Sequence, residues 1–517
     1  MIRPRCFFLL VLLLASVVCS AAFSAERPNI LIILTDDMGF SDLGCFGGEI
    51  DTPNLDALAA GGLRFTEFHN TARCWPTRAT LMSGRYSNRL GQEQVSIPEV
   101  LKTVGYQTGM VGKWHLGMNP KKDGPIQRGF DVFYGTMTGA GSFWDPITLT
   151  RDTEPIDTGC EDFSEDYYYT DVIGAEAVKQ IEKFAKADKP FFEYVAFTAA
   201  HWPMHAPEKT IRKYLPLYEG GWEKLRNERY ARMLEMGIID KEHWPLPPME
   251  PRVRKWETVD HKAWRIRNMA IYAAMVDHMD RAVGKIVKAL KDTKQFDNTL
   301  IVYFHDNGAC PEHLGGNGWN TANNILAKAK AAGKKVAVGD VFDVPMGGPL
   351  TYGSVGHNWA NAQNTPLRRY KMNVHEGGAC TCAIMHWPAG LKHKPGSITK
   401  QRGHVVDMMA TCLELAGAKY PKEFDGRKIT PHESLSLVPV ITGGKQPRDH
   451  AYYFNHMGTH AVIKGDYKVV REGRGPWALY NLTEDRTETR DLSKKYPECV
   501  EELTALWEAR FGKKKKK

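Results

Sequence analysis

Two short pairs of acidic and amide side chains stand at the ends of uncharged apolar runs. Asp36-Asp37 follows Asn29-Ile-Leu-Ile-Ile-Leu-Thr35, and Asp306-Asn307 follows Thr299-Leu-Ile-Val-Tyr-Phe304 after an intervening His305. A single pair of this kind reads most simply as a turn or a helix cap. Two pairs, each closing a run suited to burial on both faces of a parallel sheet, bring three carboxylates to one sheet edge. Adjacent carboxylates repel, so gathering them is costly without a cation. A donor set of oxygens alone suits a hard divalent metal, Ca²⁺ or Mg²⁺, better than zinc. A further reactive group is Cys74, in Cys74-Trp-Pro-Thr-Arg78 with the continuation Ala-Thr-Leu-Met-Ser-Gly84. A lone cysteine is ordinarily a small core hydrophobe. This one opens a predicted helix, where backbone N–H groups favour an anion, and Arg78 lies one turn on, within reach of it.

Other candidates are weaker taken singly. Lys113 or Lys371 alone would be a solvated surface lysine, and His115 or His201 alone a satisfied structural histidine. Lys113 lacks the spaced glycine and the following Ser/Thr of a phosphate-binding loop. His201 and His205 have zinc-like spacing, but Pro203 between them disfavours the helix that such a pair needs. The mature cysteines show no paired CxxC pattern, so a zinc knuckle is not supported. Their sparse spacing leaves room for one or two disulfides without saying which.

Taken together and in order, these segments resemble a known family. Cys74-x-Pro-x-Arg78 with its Leu-Met-Ser-Gly continuation is similar to the first signature of the type I sulfatases, in the alkaline phosphatase-like superfamily. Gly105-Tyr-Gln-Thr-Gly-Met-Val-Gly-Lys113-Trp-His115 is similar to the second. Arg128-Gly-Phe-Asp131, His201-Trp-Pro203, Asp306-Asn307-Gly308 and Lys371 before Glu376-Gly-Gly378 also match, so the resemblance spans about residues 27 to 492. His305 departs from the small polar residue common at its position and is given no role.

The resemblance implies a formylglycine made from Cys74 by a maturation enzyme. It implies a Ca²⁺ ion, with Mg²⁺ as the other option, held by Asp36, Asp37, Asp306, Asn307 and the modified Cys74. One hydroxyl of the aldehyde hydrate would attack sulfur in line. The other would then lose a proton and expel sulfate, a step closed to an ordinary serine. In that scheme His115 is the base for the elimination and His201 the donor to the leaving oxygen. Lys113 and Lys371 would bind sulfate oxygens, and Arg78 would face the hydrate. The implied activity is hydrolysis of an aryl sulfate or a sulfated carbohydrate. A phosphodiester or phosphonate monoester hydrolase is the alternative, since relatives with the same cysteine motif handle phosphoryl groups. A non-catalytic binder of sulfated glycans would need no nucleophile.

The elements that must carry these residues follow from periodicity. Strand-like Asn29–Thr35, Tyr106–Val111, Phe191–Thr198 and Thr299–Phe304 alternate with helix-like Leu55–Ala60, Asp171–Ala187 and Ile266–Leu290. That alternation predicts an α/β fold with a large, mainly parallel central sheet flanked by helices, and ligands beyond the carboxyl ends of its strands. Helix-like His404–Ala416 follows. The pattern then changes to short alternating segments (461–463, 467–470, 477–480), which predicts a small C-terminal antiparallel sheet, and a last helix-like stretch covers 500–511. The domain reading is a signal at 1–25, a catalytic domain at 26–430, a C-terminal domain at 431–512 and a basic tail at 513–517. The Trp/Pro-rich stretch 207–259 reads as an insertion over the sheet and, with Trp144, as an aromatic substrate rim.

Arg3 and Arg5, an apolar stretch of 12 residues from Phe7 to Val18 and small residues up to Ala25 form an export signal, too short to span a bilayer. No later segment is long and apolar enough to cross a membrane, so a secreted or periplasmic enzyme is expected. Asn481-Leu-Thr483 matches a glycosylation acceptor pattern. The chain of 517 residues carries a formal charge of +8. The signal supplies two of these charges and Lys513 to Lys517 five, so the body is almost neutral, which excludes a nucleic-acid partner bound by charge alone. With 43% hydrophobic and 25% charged residues the chain is neither disordered nor collagen-like.

Overall fold

The computed structural model describes residues 27–157, 167–314 and 323–512. The export signal, Cys160 and the lysine tail lie outside the described residues. An eleven-stranded sheet runs through the molecule in the order β12-β2-β11-β8-β1-β7-β3-β4-β5-β6, with β13 also paired to β2. Its strands are β1 (Asn29–Thr35), β2 (Leu63–His69), β3 (Gln107–Lys113), β4 (Val132–Thr136), β5 (Leu149–Arg151), β6 (Glu154–Pro155), β7 (Phe191–Ala196), β8 (Thr299–His305), β11 (Cys380–His386), β12 (Ser397–Thr399) and β13 (Gly403–His404). Two further strands, β9 (Ala337–Val338) and β10 (Thr351–Tyr352), form a separate parallel ribbon.

The predicted mainly parallel α/β architecture is observed. β1 lies at the centre, parallel to β7 on one side and β8 on the other. β3 continues the parallel set between β7 and β4. Two strands run the other way: β11, antiparallel to both β8 and β2, and β5, antiparallel to β4.

Alternate residues of β1 enter opposite cores, Leu31 and Ile33 on one face and Ile30, Ile32 and Leu34 on the other. This explains its unbroken apolar run. The first face is covered by α1 (Pro53–Gly61), α3 (Tyr169–Phe184) and the 31-residue α6 (Lys262–Asp292). The second is covered by α2 (Cys74–Ser83) and α7 (Met408–Ala416).

Within 207–259 the chain forms α4 (Glu208–Tyr214) and α5 (Gly221–Glu235) and no strand. Its tryptophans correct one expectation. Trp222 and Trp244 are buried, as is Trp144, and half-buried Trp256 packs on Trp222 and Trp359, so they pack on the core and do not form an exposed rim. Arg229 of α5 ties the insertion down through buried ion pairs with Asp42 (2.6 Å) and Glu49 (2.7 Å).

After the hairpin β14 (Glu423–Phe424) and β15 (Arg427–Lys428), residues 437–441 pack against the second face. Four antiparallel strands follow in the order β16 (Tyr452–His456), β17 (Thr459–Lys464), β18 (Tyr467–Glu472) and β19 (Ala478–Asn481). One face of this small sheet packs on Ala72, Val374 and Ala379 near the site, and the other on Leu503 and Trp507 of α8 (Pro497–Phe511). The seven cysteines among the described residues are free thiols.

Candidate active site

Strand register builds the site. In β1 and β8 Thr35 lies opposite His305, so the residues that follow, Asp36 and Asp306, leave the sheet side by side. The Asp306 N–H donates to Thr35 O (3.0 Å) and the Asp36 N–H to Ala199 O (2.9 Å). β3 runs parallel to β7 and delivers Lys113 to the same edge. β2 ends there too, and after a short turn α2 begins at Cys74, which is 2% exposed. β11 arrives from the opposite direction. The segment before it, which carries Lys371, is thereby laid across the same edge.

The ten residues singled out in the sequence, Asp36, Asp37, Cys74, Arg78, Lys113, His115, His201, Asp306, Asn307 and Lys371, are therefore gathered at the carboxyl ends of the parallel strands. All are buried except His115, which is partly covered. Lys113 Nζ is paired with Asp36. Lys371 Nζ lies 2.8 Å from the Asp37 carboxylate and 3.2 Å from Glu312 Oε2. Arg78 donates to Asp306 Oδ2 (2.9 Å) and to Lys113 O (2.8 Å) and lies 3.6 Å from Asp36 Oδ2. Its hydrogen bonds thus go to Asp306, the Lys113 carbonyl and the Tyr194 hydroxyl (3.5 Å), and it acts on Cys74 only through space. The Asn307 amide donates to Asp37 Oδ1 (2.7 Å).

Two buried oxygens in this cluster, Asp36 Oδ1 and Asn307 Oδ1, have no hydrogen-bond partner. Unmet acceptors of this kind are costly unless a cation or another donor faces them. Burial and the neighbouring Asp306 push Asp36 up to about 6. Burial works the same way on Asp37, but there His201 and Lys371 outweigh it and hold the carboxyl below the usual range. The donor set is oxygen-rich and strained by its own negative charge, which fits a hard divalent metal.

The Cys74 thiol is pushed up by burial, with Lys113 and Lys371 only partly offsetting this, so as a thiol it is a poor nucleophile. His115 is held neutral by burial and by the charges of Lys113 and Arg78, and its Nδ1 has no partner. It takes a left-handed backbone conformation (φ 57°), as does Asp37 (φ 60°). His201, lowered to about 4 by burial, donates from Nδ1 to Trp202 O (2.7 Å). Its Nε2 therefore faces Lys371 Nζ as an acceptor, at 3.2 Å. His205 is spent elsewhere, on Thr351 O, which rules out a His201–His205 metal pair. His305 bridges Met38 O and the Tyr303 hydroxyl (both 3.1 Å) and packs beneath the site.

Glu312 was not singled out in the sequence. It joins Arg73 Nη1 (2.8 Å), Trp202 Nε1 (3.0 Å) and Lys371 Nζ, and so ties three loops of the site together. The one available signal was its place in the polar Cys310-Pro-Glu312 stretch, six residues beyond Asp306.

Comparison with known proteins decides the family. The profile of the family described as Sulfatase matches residues 28–418. The chain belongs to the sulfatase family. This sulfatase is 30% identical over 535 residues to an uncharacterized sulfatase of Schizosaccharomyces pombe, covering 93% of each chain. It is 31% identical over 453 residues to the arylsulfatase of Klebsiella aerogenes, covering 81% of this chain and 91% of that one. Among solved structures it resembles Ps i-CgsB in complex with a neocarrahexaose (TM-score 0.65, 24% identity, 94% and 92% coverage). No helix among the described residues of the sulfatase is long and apolar enough to cross a membrane.

Proposed function

We propose that this sulfatase cleaves its ester through a formylglycine made from Cys74, with one divalent cation, Ca²⁺ in the first instance, held by Asp36, Asp37, Asp306, Asn307 and the modified Cys74. The observation that carries the reading is the pair of buried, unpartnered oxygens on Asp36 and Asn307 beside a cysteine that is inert as a thiol. A bound cation supplies Lewis-acid polarisation of the sulfuryl group. The hydrated aldehyde supplies two hydroxyls on one carbon, one to attack and one to expel sulfate.

The chain's own residues divide the remaining work. Lys113 and Lys371 now neutralise Asp36 and Asp37. Once a cation takes over that charge, their ammonium groups are left for sulfate oxygens. His115, neutral and with Nδ1 unspent, takes the proton in the elimination. His201 Nδ1 is spent on Trp202 O, so Nε2 is the nitrogen that would carry a proton taken from water to the leaving oxygen once Lys371 turns to sulfate. Arg78 holds Asp306 in place and adds positive charge beside Cys74.

The substrate class is an aryl sulfate or a sulfated carbohydrate. The Klebsiella relative is an arylsulfatase and the solved neighbour holds a neocarrahexaose, and each supports one half of that reading. Residues 1–25 direct export, and a formylglycine-generating enzyme is the obligatory partner in maturation.

Mass spectrometry of the Cys74 peptide should show loss of the thiol sulfur, as aldehyde or hydrate. An intact thiol in protein made beside its own maturation system would refute the mechanism. Chelation should abolish turnover of 4-nitrophenyl sulfate, and the ion that restores it, Ca²⁺ or Mg²⁺, identifies the metal. A parallel aryl phosphodiester assay decides between the two hydrolase readings, and a phosphodiester preference would overturn this one.

A further inference from the structure

A cleft of about 700 Å³ opens beside Lys371. Residues 250–252 of the insertion form one wall and residues 311–313, after β8, another, while Glu472 reaches in from β18. Its three carboxylates are already spent. Glu250 pairs with Arg369 (2.8 Å), Glu472 pairs with the same guanidinium (2.9 Å), and Glu312 pairs with Arg73 and Lys371.

Arg252 is different. Its guanidinium makes no ion pair or hydrogen bond among the described residues, although it lines the cleft and its charge reaches both Tyr370 and His357. An exposed arginine is ordinary by itself. The main chain around this one is held from several directions. His357 Nε2 donates to Arg252 O (2.7 Å), the Val253 N–H donates to Glu250 O (2.9 Å), and the Arg254 N–H donates to Asn358 Oδ1 (3.1 Å). The first of these bonds leaves His357 Nδ1 to accept from His313 Nε2 (3.0 Å), so His357 is itself oriented. A guanidinium with no ion pair of its own is thus carried on a fixed backbone, in the same cleft as the lysine assigned to sulfate, where each acid is already paired with another cation.

We infer that Arg252 recognises a second anionic group on the substrate, a sulfate or a carboxylate carried near the ester that is cut. The guanidinium fork suits either oxyanion, and a substrate with no other charge would leave it unused. The inference rests on the reading that the Cys74 centre cuts a sulfate ester.

The test uses matched pairs of ligands as competitors of 4-nitrophenyl sulfate turnover. One pair is glucosamine N,6-disulfate against N-acetylglucosamine 6-sulfate. The other is a 6-sulfated chondroitin disaccharide with its uronate intact or reduced to the alcohol. In the wild type the member with the second anion in at least one pair should bind about tenfold more tightly, and the pair that shows this names the anion. Arg252→Ala should bring that ratio down to about one, and Arg252→Lys should restore part of it. Equal affinities within both pairs, or a preference that survives in Arg252→Ala, would overturn the inference. Calorimetric titration of the same ligands reads the ratio without turnover. Fully converted, metal-loaded protein that cuts no sulfate ester therefore counts against the sulfatase chemistry and leaves the role of Arg252 to the ratio.

Discussion

Asp306 is held by Arg78 on one side and by its backbone bond to Thr35 on the other, so its position does not depend on the metal. Asp306→Ala should therefore remove a proposed metal ligand without unfolding the edge. Turnover should fall on the order of 10³-fold together with metal content, measured by elemental analysis of purified protein; full metal occupancy in the variant would contradict the ligand assignment. A second carboxylate makes a different prediction. Glu193 on β7 is fully buried, neither of its oxygens has a partner, and burial raises its carboxyl well above the ordinary 4.5. It shares the space over Gly109 with Gln180 Oε1, another unpartnered acceptor: a Cβ at Gly109 would come within 2.1 Å of one and 2.4 Å of the other. With a raised folded-state pKa, the stability this group contributes is complete below about pH 4.5 and is lost as pH rises towards the folded value. Melting curves of Glu193→Gln should match the wild type's pH trend below that point and gain on it progressively above; a constant difference from acid to alkaline pH would refute a neutral Glu193.

The element scale explains why residues so far apart in sequence share one edge. The acids and the amide that follow β1 and β8, proposed as metal ligands, were legible as strand-end residues because both strands are buried on two faces and read as unbroken apolar runs. Lys371 was legible only through resemblance, because it precedes its strand, and nothing in Cys380-Thr-Cys-Ala-Ile-Met-His386 announces that β11 runs backwards. That reversal turns the start of a strand into part of the catalytic edge. The join is tight. A Cβ at Gly308 would sit 1.8 Å from Gly377 O, where the loop bearing Asn307 crosses the segment that follows Lys371. Gly308→Ala should push these two segments apart. We expect a loss of about 1–3 kcal/mol in stability and about 10²-fold in kcat, read by thermal melting and steady-state kinetics. Unchanged kcat would show that the two segments move independently of the chemistry.

For the whole molecule, the alternating strands near the C-terminus were recognisable, but their attachment to the catalytic body was not. Lys468, which looks like an outward residue of β18, is fully buried and pairs with Glu376 (2.6 Å) and Glu488 (2.9 Å). Arg486 and His69 (3.0 Å) also meet Glu376, so the small sheet is bound to the loop behind Lys371 by a charge network without solvent. Removing one partner leaves an uncompensated buried charge. Lys468→Met should cost about 3–5 kcal/mol and should lower the unfolding of both sheets together in calorimetry; two separated transitions would show that the sheets fold apart. The central position of β1 has one more consequence, for the newly made chain. Its partner β8 begins at Thr299, 264 residues after Thr35. At roughly 5–20 residues per second, Asn29–Thr35 waits on the order of 10–50 s before its second edge can be covered. Seven uncharged residues left as an open strand for that long are prone to intermolecular pairing. The yield of soluble protein should therefore depend on how well this first strand is shielded during synthesis.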